Sequence, residues 1–202
     1  MNKEEALQLL NESVKSESLR GHCKAVAAAM KGYAEKFGED VDKWWVCGLL
    51  HDFDWEMHPT LEDHPAKGVE ILREKGVDED ICVAILGHNE YCKVPRESKM
   101  AKVLFAVDEL CGLIVALARV RPGNFEGMSA KSVKKVMKKK DFAAAINRGD
   151  ILKGIDELGV DSENKKFSDR ATLTEQEKVA REDEHFIFVI KSLEKVKGEL
   201  GF

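Results

Sequence analysis

No stretch of this sequence stays apolar for long enough to cross a bilayer. The longest, CGLIVALA near residues 111–118, falls far short of the roughly 20 residues a membrane helix needs. A secretory leader is not in evidence either, because MNKEEALQLL carries two glutamates where such a leader is basic and then apolar. The expectation is a cytoplasmic protein with no membrane partner. Cysteine is sparse: Cys23, Cys47, Cys82, Cys92 and Cys111 are odd in number and contain no CxxC pair. That excludes a disulfide framework and a thiolate zinc knuckle, and leaves reduced, mostly buried thiols. An excess of one charge is missing as well. The net charge of -5 and pI near 5.8 describe an ordinary solvated surface, so nucleic acid is not an expected partner. No run alternates apolar and polar side chains in the manner of a strand, and there is no repeat or low-complexity tract.

What is present is helical periodicity from end to end, and the expected fold class is all-α. Asn2 and Glu5 form a capping-box pattern, and Val26, Met30, Tyr33 and Phe37 give core spacing to a helix from about Ser18 to Phe37, stopped by Gly38. A helix from about Asp40 to Leu50 delivers His51-Asp52 at its end. After a loop, HDFDWEMHPTLED, Asp63 is placed to cap a helix with Pro65 in its first turn and Gly76 as its stop. Asp78 opens a short helix through Ile81 and Ile85 toward His88. A long, largely buried helix follows from Ser98 to about Ala118, with Asp108 in its middle.

RPGNFEG, residues 121–127, breaks the pattern with Pro and Gly and is the expected boundary. Residues 1–122 are then the core and 123–202 a C-terminal helical extension packed on or near it. The extension reads as a lysine-rich helix from Ser129, a segment ending near Arg148, a helix from Asp150 to Leu158, a polar connection, and a helix from about Thr174 to Leu200. Lys131 and Lys135 share one face of the lysine-rich helix with Lys134 and Lys138. Such a face is more often simply solvated, although it could roof a site with positive charge. His185, in REDEHFIFVI, reads as an exposed helix residue.

The pattern that points to chemistry is H…HD…H…H…D: His22, His51-Asp52, His64, His88 and Asp108. A His-Asp dipeptide alone says little, but imidazoles and carboxylates in such number suit Mn, Fe, Co, Ni or Zn and leave coordination positions open for water. Asp108 is the most telling, since an ionised carboxylate among Val103, Leu104, Val107, Leu110 and Cys111 is costly to bury unless something neutralises it. Gly112, Val115 and Arg119 lie on its helical face. Arg119, about 16 Å along the axis, could reach a distal phosphate, although a plain surface arginine is the commoner case.

This order of residues resembles the HD superfamily over roughly residues 18–120, and is most similar to compact members with six ligands. These include nucleotide-cleaving phosphohydrolases, HD-GYP phosphodiesterases and a few di-iron oxygenases. The resemblance implies an HD-domain helical bundle in which His22, His51, Asp52 and Asp108 hold a first metal. Asp52 would bridge to a second held by His64 and His88. It favours His64 over His58, because His64 leads into a helix. Many members follow His-Asp with an apolar residue, Gly and often Lys, whereas Asp54 and Trp55 stand there in HDFDW. Asp54 is then expected to support a ligand histidine or act as an acid-base group, and Asn89 and Glu90 to orient an imidazole or a bound water.

The expected function is hydrolysis of a phosphoester or phosphoanhydride, in a nucleotide or other small phosphorylated metabolite, by hydroxide on one or two divalent transition-metal ions. Asp52, His88 and Asp54 are the expected catalytic set. Arg119, Lys131 and Lys135 are the expected substrate contacts. A di-iron oxygenase on the same ligands, and a non-catalytic metal-stabilised binding module, are the alternatives.

Overall fold

The computed structural model describes residues 1–159 and 173–202. Among these residues there are nine α-helices, one 3-10 turn and no strand. The helices are α1 Lys3–Ser13, α2 Glu17–Phe37, α3 Val41–Leu50, α4 Ala66–Glu74, α5 Glu79–His88, α6 Lys99–Val120, α7 Ala130–Met137, α8 Arg148–Leu158 and α9 Glu175–Lys195, with the 3-10 turn Glu90–Cys92 after α5. Local chemistry sets most starts. Asn2 and Glu5 close the capping box on α1, and Ser16, Asp40 and Ser98 each cap a helix by accepting a backbone N–H three residues on. Thr174 and Glu177 do the same reciprocally for α9.

The helix expected from Asp63 starts later. Asp63 spends its carboxylate on Lys67, 2.9 Å away, and His64 stays in a turn ahead of α4, joined to Pro65 by a cis peptide bond. The segment ending near Arg148 is the cap of α8 itself, with the Asn147 side chain accepting from Gly149 and Asp150. Most of the expected polar connection, residues 160–172, lies outside the described residues.

The centre of the bundle is α6, whose buried side chains run from Met100 to Ala118 and meet α2, α5, α8 and α9. Small residues let backbones close in. A Cβ on Gly48 would stand 2.8 Å from the Ala27 Cα, and one on Gly154 would stand 2.6 Å from the Ala106 Cα. The alanines that follow His22 thus seat α3 on α2, and α8 lies directly on α6. Residues from α1 through α9 form one continuous apolar core, to which α9 contributes Phe186, Val189, Ile190 and Leu193. Each such side chain stabilises the fold by about 1.5–3 kcal/mol on burial.

His185 corrects the sequence expectation, because it is buried and not exposed. Its Nε2–H donates to the Ala106 carbonyl at 3.0 Å and its Nδ1 accepts from the Tyr33 hydroxyl at 2.6 Å. Both polar atoms are satisfied, which is what lets an imidazole sit in the core. Among the described residues, no helix is long and apolar enough to cross a membrane.

Candidate metal centre

Five separate elements bring six side chains together. His22 comes from the second turn of α2, and His51 and Asp52 from the C-terminal end of α3. His64 projects from the turn before α4, His88 is the last residue of α5, and Asp108 sits mid-way along α6. They form two triads: His22, His51 and Asp108, and Asp52, His64 and His88. In the first, the His22 Nε2 lies 3.2 Å from the His51 Nε2 and 2.9 Å from the Asp108 Oδ1, which is 3.3 Å from the His51 Nε2. In the second, the His64 and His88 Nε2 atoms are 3.2 Å apart, and the Asp52 Oδ1 is 3.2 Å from one and 3.4 Å from the other. Asp52 also lies between the triads, its Oδ1 3.5 Å from the His51 Nε2 and its Oδ2 3.8 Å from the His22 Nε2.

The far side of each ring explains why these nitrogens converge. The His51 Nδ1–H donates to the Gly48 carbonyl at 2.8 Å, the His88 Nδ1–H to the Ile85 carbonyl, and the His64 Nδ1–H to the Asp54 Oδ1 at 2.8 Å. Two of these acceptors are carbonyls of a helix's last turn, which have no helical partner of their own. With Nδ1 carrying the proton in each neutral ring, Nε2 is left with its lone pair pointing inward. Lone pairs at such separations repel unless a cation or protons lie between them. Donors held ~2.0–2.2 Å from a shared ion stand ~2.9–3.5 Å from one another, the range seen in both triads. The residues present therefore fit a divalent transition metal in either triad.

Electrostatics agree. Burial pushes Asp108 and Asp52 up, but the neighbouring histidines outweigh it, His51 first, and hold both carboxyls far below their usual range. Burial pushes His51 and His64 down. The opposing carboxylates, Asp52 and Asp108 for His51 and Asp52 and Asp54 for His64, overcome it and raise both to about 9. The pocket is built for positive charge, and protons supply it when nothing else does.

His51, His64 and His88 are buried, whereas the side chains of His22, Asp52 and Asp108 keep about a fifth of their surface exposed, at 22%, 18% and 18%. The centre thus opens on the His22 side. Across that opening a Cβ on Gly112 would meet the Ile146 Cδ1 at 2.8 Å and the His22 Nδ1 at 3.8 Å, which places the segment before α8 beside His22. Glu109, half-buried, faces the Asn147 backbone amide there, and burial with the Asp108 charge raises its pKa to about 7. On the opposite side Trp55 stands edge-on to His64, with ring centroids 4.9 Å apart.

Asp54 stands behind His64, wholly buried, with its Oδ2 unpartnered and its carboxyl packed against the bare backbone of Gly68. Asn89 donates to the His64 carbonyl at 2.7 Å, so it steadies the backbone of a ligand instead of its ring. Glu90 turns away to Arg96 and Lys153. His58 is outside both triads. Arg119, exposed at the end of α6, has its guanidinium 5.8 Å from the Phe202 ring centroid. Lys131 and Lys135 are exposed and line a groove of about 500 Å³ with Lys134, Lys138 and Asp183. None of these three cations forms an ion pair with Asp52 or Asp108. Ile146 and Glu109 carried no signal in the sequence, because their nearness to His22 depends on how α8 docks on α6.

Residues 19–113 match a family model described as the HD domain. No match was found among curated proteins or among solved structures.

Proposed function

We propose, on the match of residues 19–113 to the HD-domain model, that the chain is a metal-dependent phosphohydrolase that hydrolyses a phosphoester or phosphoanhydride of a nucleotide or other small phosphorylated metabolite. The observation that carries this reading is the pair of triads with Asp52 between them, each offering inward-facing Nε2 atoms whose tautomers are fixed from behind. One or two divalent ions of Fe, Mn, Co, Ni or Zn, when bound, supply Lewis acidity and an acidified water for in-line attack at phosphorus.

The rest is done by the chain. His22, His51 and Asp108 would hold one ion, and His64 and His88 the other. Asp52, within 3.8 Å of all four imidazoles, would serve both. Asp54 holds the proton on His64 Nδ1, and the Ile85 carbonyl does so for His88. The exposed edges of His22, Asp52 and Asp108 set the direction of substrate approach, beside Ile146 and Glu109. Arg119, Lys131 and Lys135 are proposed contacts for the anionic remainder of an extended substrate.

The test is a panel of phosphoesters and phosphoanhydrides with the purified protein loaded with Mn, Fe, Co, Ni or Zn. Turnover is expected with at least one metal and lost in Asp52→Ala. Undiminished turnover in that variant refutes the reading. Oxygen uptake by the iron-loaded protein, without phosphate release, would assign the same ligands to an oxygenase instead.

A further inference from the structure

His88 is the last residue of α5, and a helix end frays unless something holds it. Here the hold comes from Arg96. Its Nη1 donates to the Gly87 carbonyl at 2.8 Å, and its Nη2 donates to Glu90 at 2.8 Å, so the residues on both sides of His88 are gripped by one guanidinium. The absence of a side chain at Gly87 matters, because a Cβ there would come within 3.1 Å of the Arg96 Cγ. The stem of Arg96 lies across the bare end of α5.

The other face of Arg96 belongs to a distant part of the chain. Its Nε and Nη2 bind Glu157 of α8 at 2.6 and 2.8 Å, a two-pronged pair that fixes the plane of the guanidinium. Beneath it lies the ring of Phe105 from α6, with its centroid 3.7 Å from Cζ. Lys153, one turn before Glu157, reaches the same Glu90. The Arg96 side chain is only 9% exposed. An arginine so enclosed and held at every nitrogen is a rigid strut, unlike an exposed surface pair.

We propose that Arg96 is a positioning residue for the second triad, and that through Glu157 helix α8 keeps His88 in register with Asp52 and His64. The proposal rests on the reading of those three residues as a metal position. Arg96 bonds to Gly87, Glu90 and Glu157 and to no member of the first triad. It meets that triad's elements at Phe105, three residues before Asp108 on α6, so the effect is expected to fall mainly on the second triad.

The experiment titrates metal-free full-length protein with Co or Zn by calorimetry and chelator competition, following the cobalt absorption bands. His88→Ala marks which binding step belongs to the second triad. Glu157→Gln, which keeps shape and loses charge, and Arg96→Met are expected to weaken that step by roughly 10- to 100-fold, as loss of a ligand's support does. The other step should stay within about twofold with an unchanged cobalt spectrum. In the metal-free variants, amides of the last turn of α5 should exchange faster than those of α3. Equal weakening of both steps, or an unaltered second step in folded Glu157→Gln, overturns the proposal. A wild-type protein that binds one ion and is indifferent to His88→Ala overturns the two-position reading and the proposal with it.

Discussion

Gly68→Ala adds one methyl group to a residue that touches no candidate ligand, and it should nevertheless cost the protein much of its grip on the second metal. The new Cβ would stand 2.4 Å from the Asp54 Cγ and 2.6 Å from its Oδ2, where carbon contacts normally begin at about 3.5 Å. Asp54 is wholly buried, so its carboxyl must swing by about 1 Å or α4 must lift. Either movement pulls on the 2.8 Å bond to the His64 Nδ1, which has little reach left before it ceases to be a hydrogen bond. Losing such support lowers metal affinity by roughly 10- to 100-fold, about 1.4–2.7 kcal/mol. Folding stability should fall by no more than about 2 kcal/mol. Alanine gains about 1 kcal/mol over glycine in a helix, and overpacking costs about 1–3 kcal/mol. Chelator competition with Co or Zn, alongside thermal unfolding of the metal-free protein, separates the two effects. Second-site affinity within twofold of wild type, in a protein whose Asp54 has the clash described, would refute the claim that Asp54 works by orienting His64.

His185 should make the fold acid-sensitive. Burial lowers its pKa to about 4, against about 6.5 in an unfolded chain. Above pH ~6.5 it is neutral in both states and its contribution is intact; as pH falls from ~6.5 to ~4 the unfolded chain takes up a proton that the native state refuses. Up to about 3 kcal/mol is lost over that window. Denaturant unfolding of wild type and His185→Gln between pH 4 and 7 should show a steeper decline for wild type, and parallel curves would disprove this role. Replacing Arg119, Lys131 and Lys135 together by Gln should raise KM for an extended phosphorylated substrate severalfold with kcat unchanged; an unaltered KM removes them from the binding surface.

The sequence was most legible where one residue type does one job. His51-Asp52, His64, His88, His22 and Asp108 could be picked out together because their order, H…HD…H…H…D, resembles that of the HD superfamily; each taken alone reads as readily as an ordinary helix residue. The structure brings all six together. The helix start at Asn2 was readable from its capping box, and the helix from Ser98 from its apolar spacing. Asp63 misled because the same carboxylate that can cap a helix can also pair with Lys67, and tertiary context chooses. His185 misled for a related reason. Charged neighbours in REDEHF suggested solvent, yet a helix turns by 100° per residue, and His185 with Phe186 falls on the face toward α2 and α6. Arg96, Glu109 and Ile146 were invisible, since their partners Glu157, Asn147 and Gly112 lie tens of residues away.

The seam along α6 sets a timetable for synthesis. Phe105 and Ala106, immediately ahead of Asp108, are covered by α8 and α9, which leave the ribosome up to about 75 residues after α6 is finished. At 5–20 residues per second that is an interval of roughly 4–15 s during which the helix carrying Asp108 has an uncovered apolar flank. Early in that interval, before α8 is complete 38 residues after α6, a nascent chain already contains all six candidate ligands but lacks the helix that braces His88. On the reading proposed above, metal captured at that stage would meet an unbraced second position, whose loading is favoured once α8 has docked.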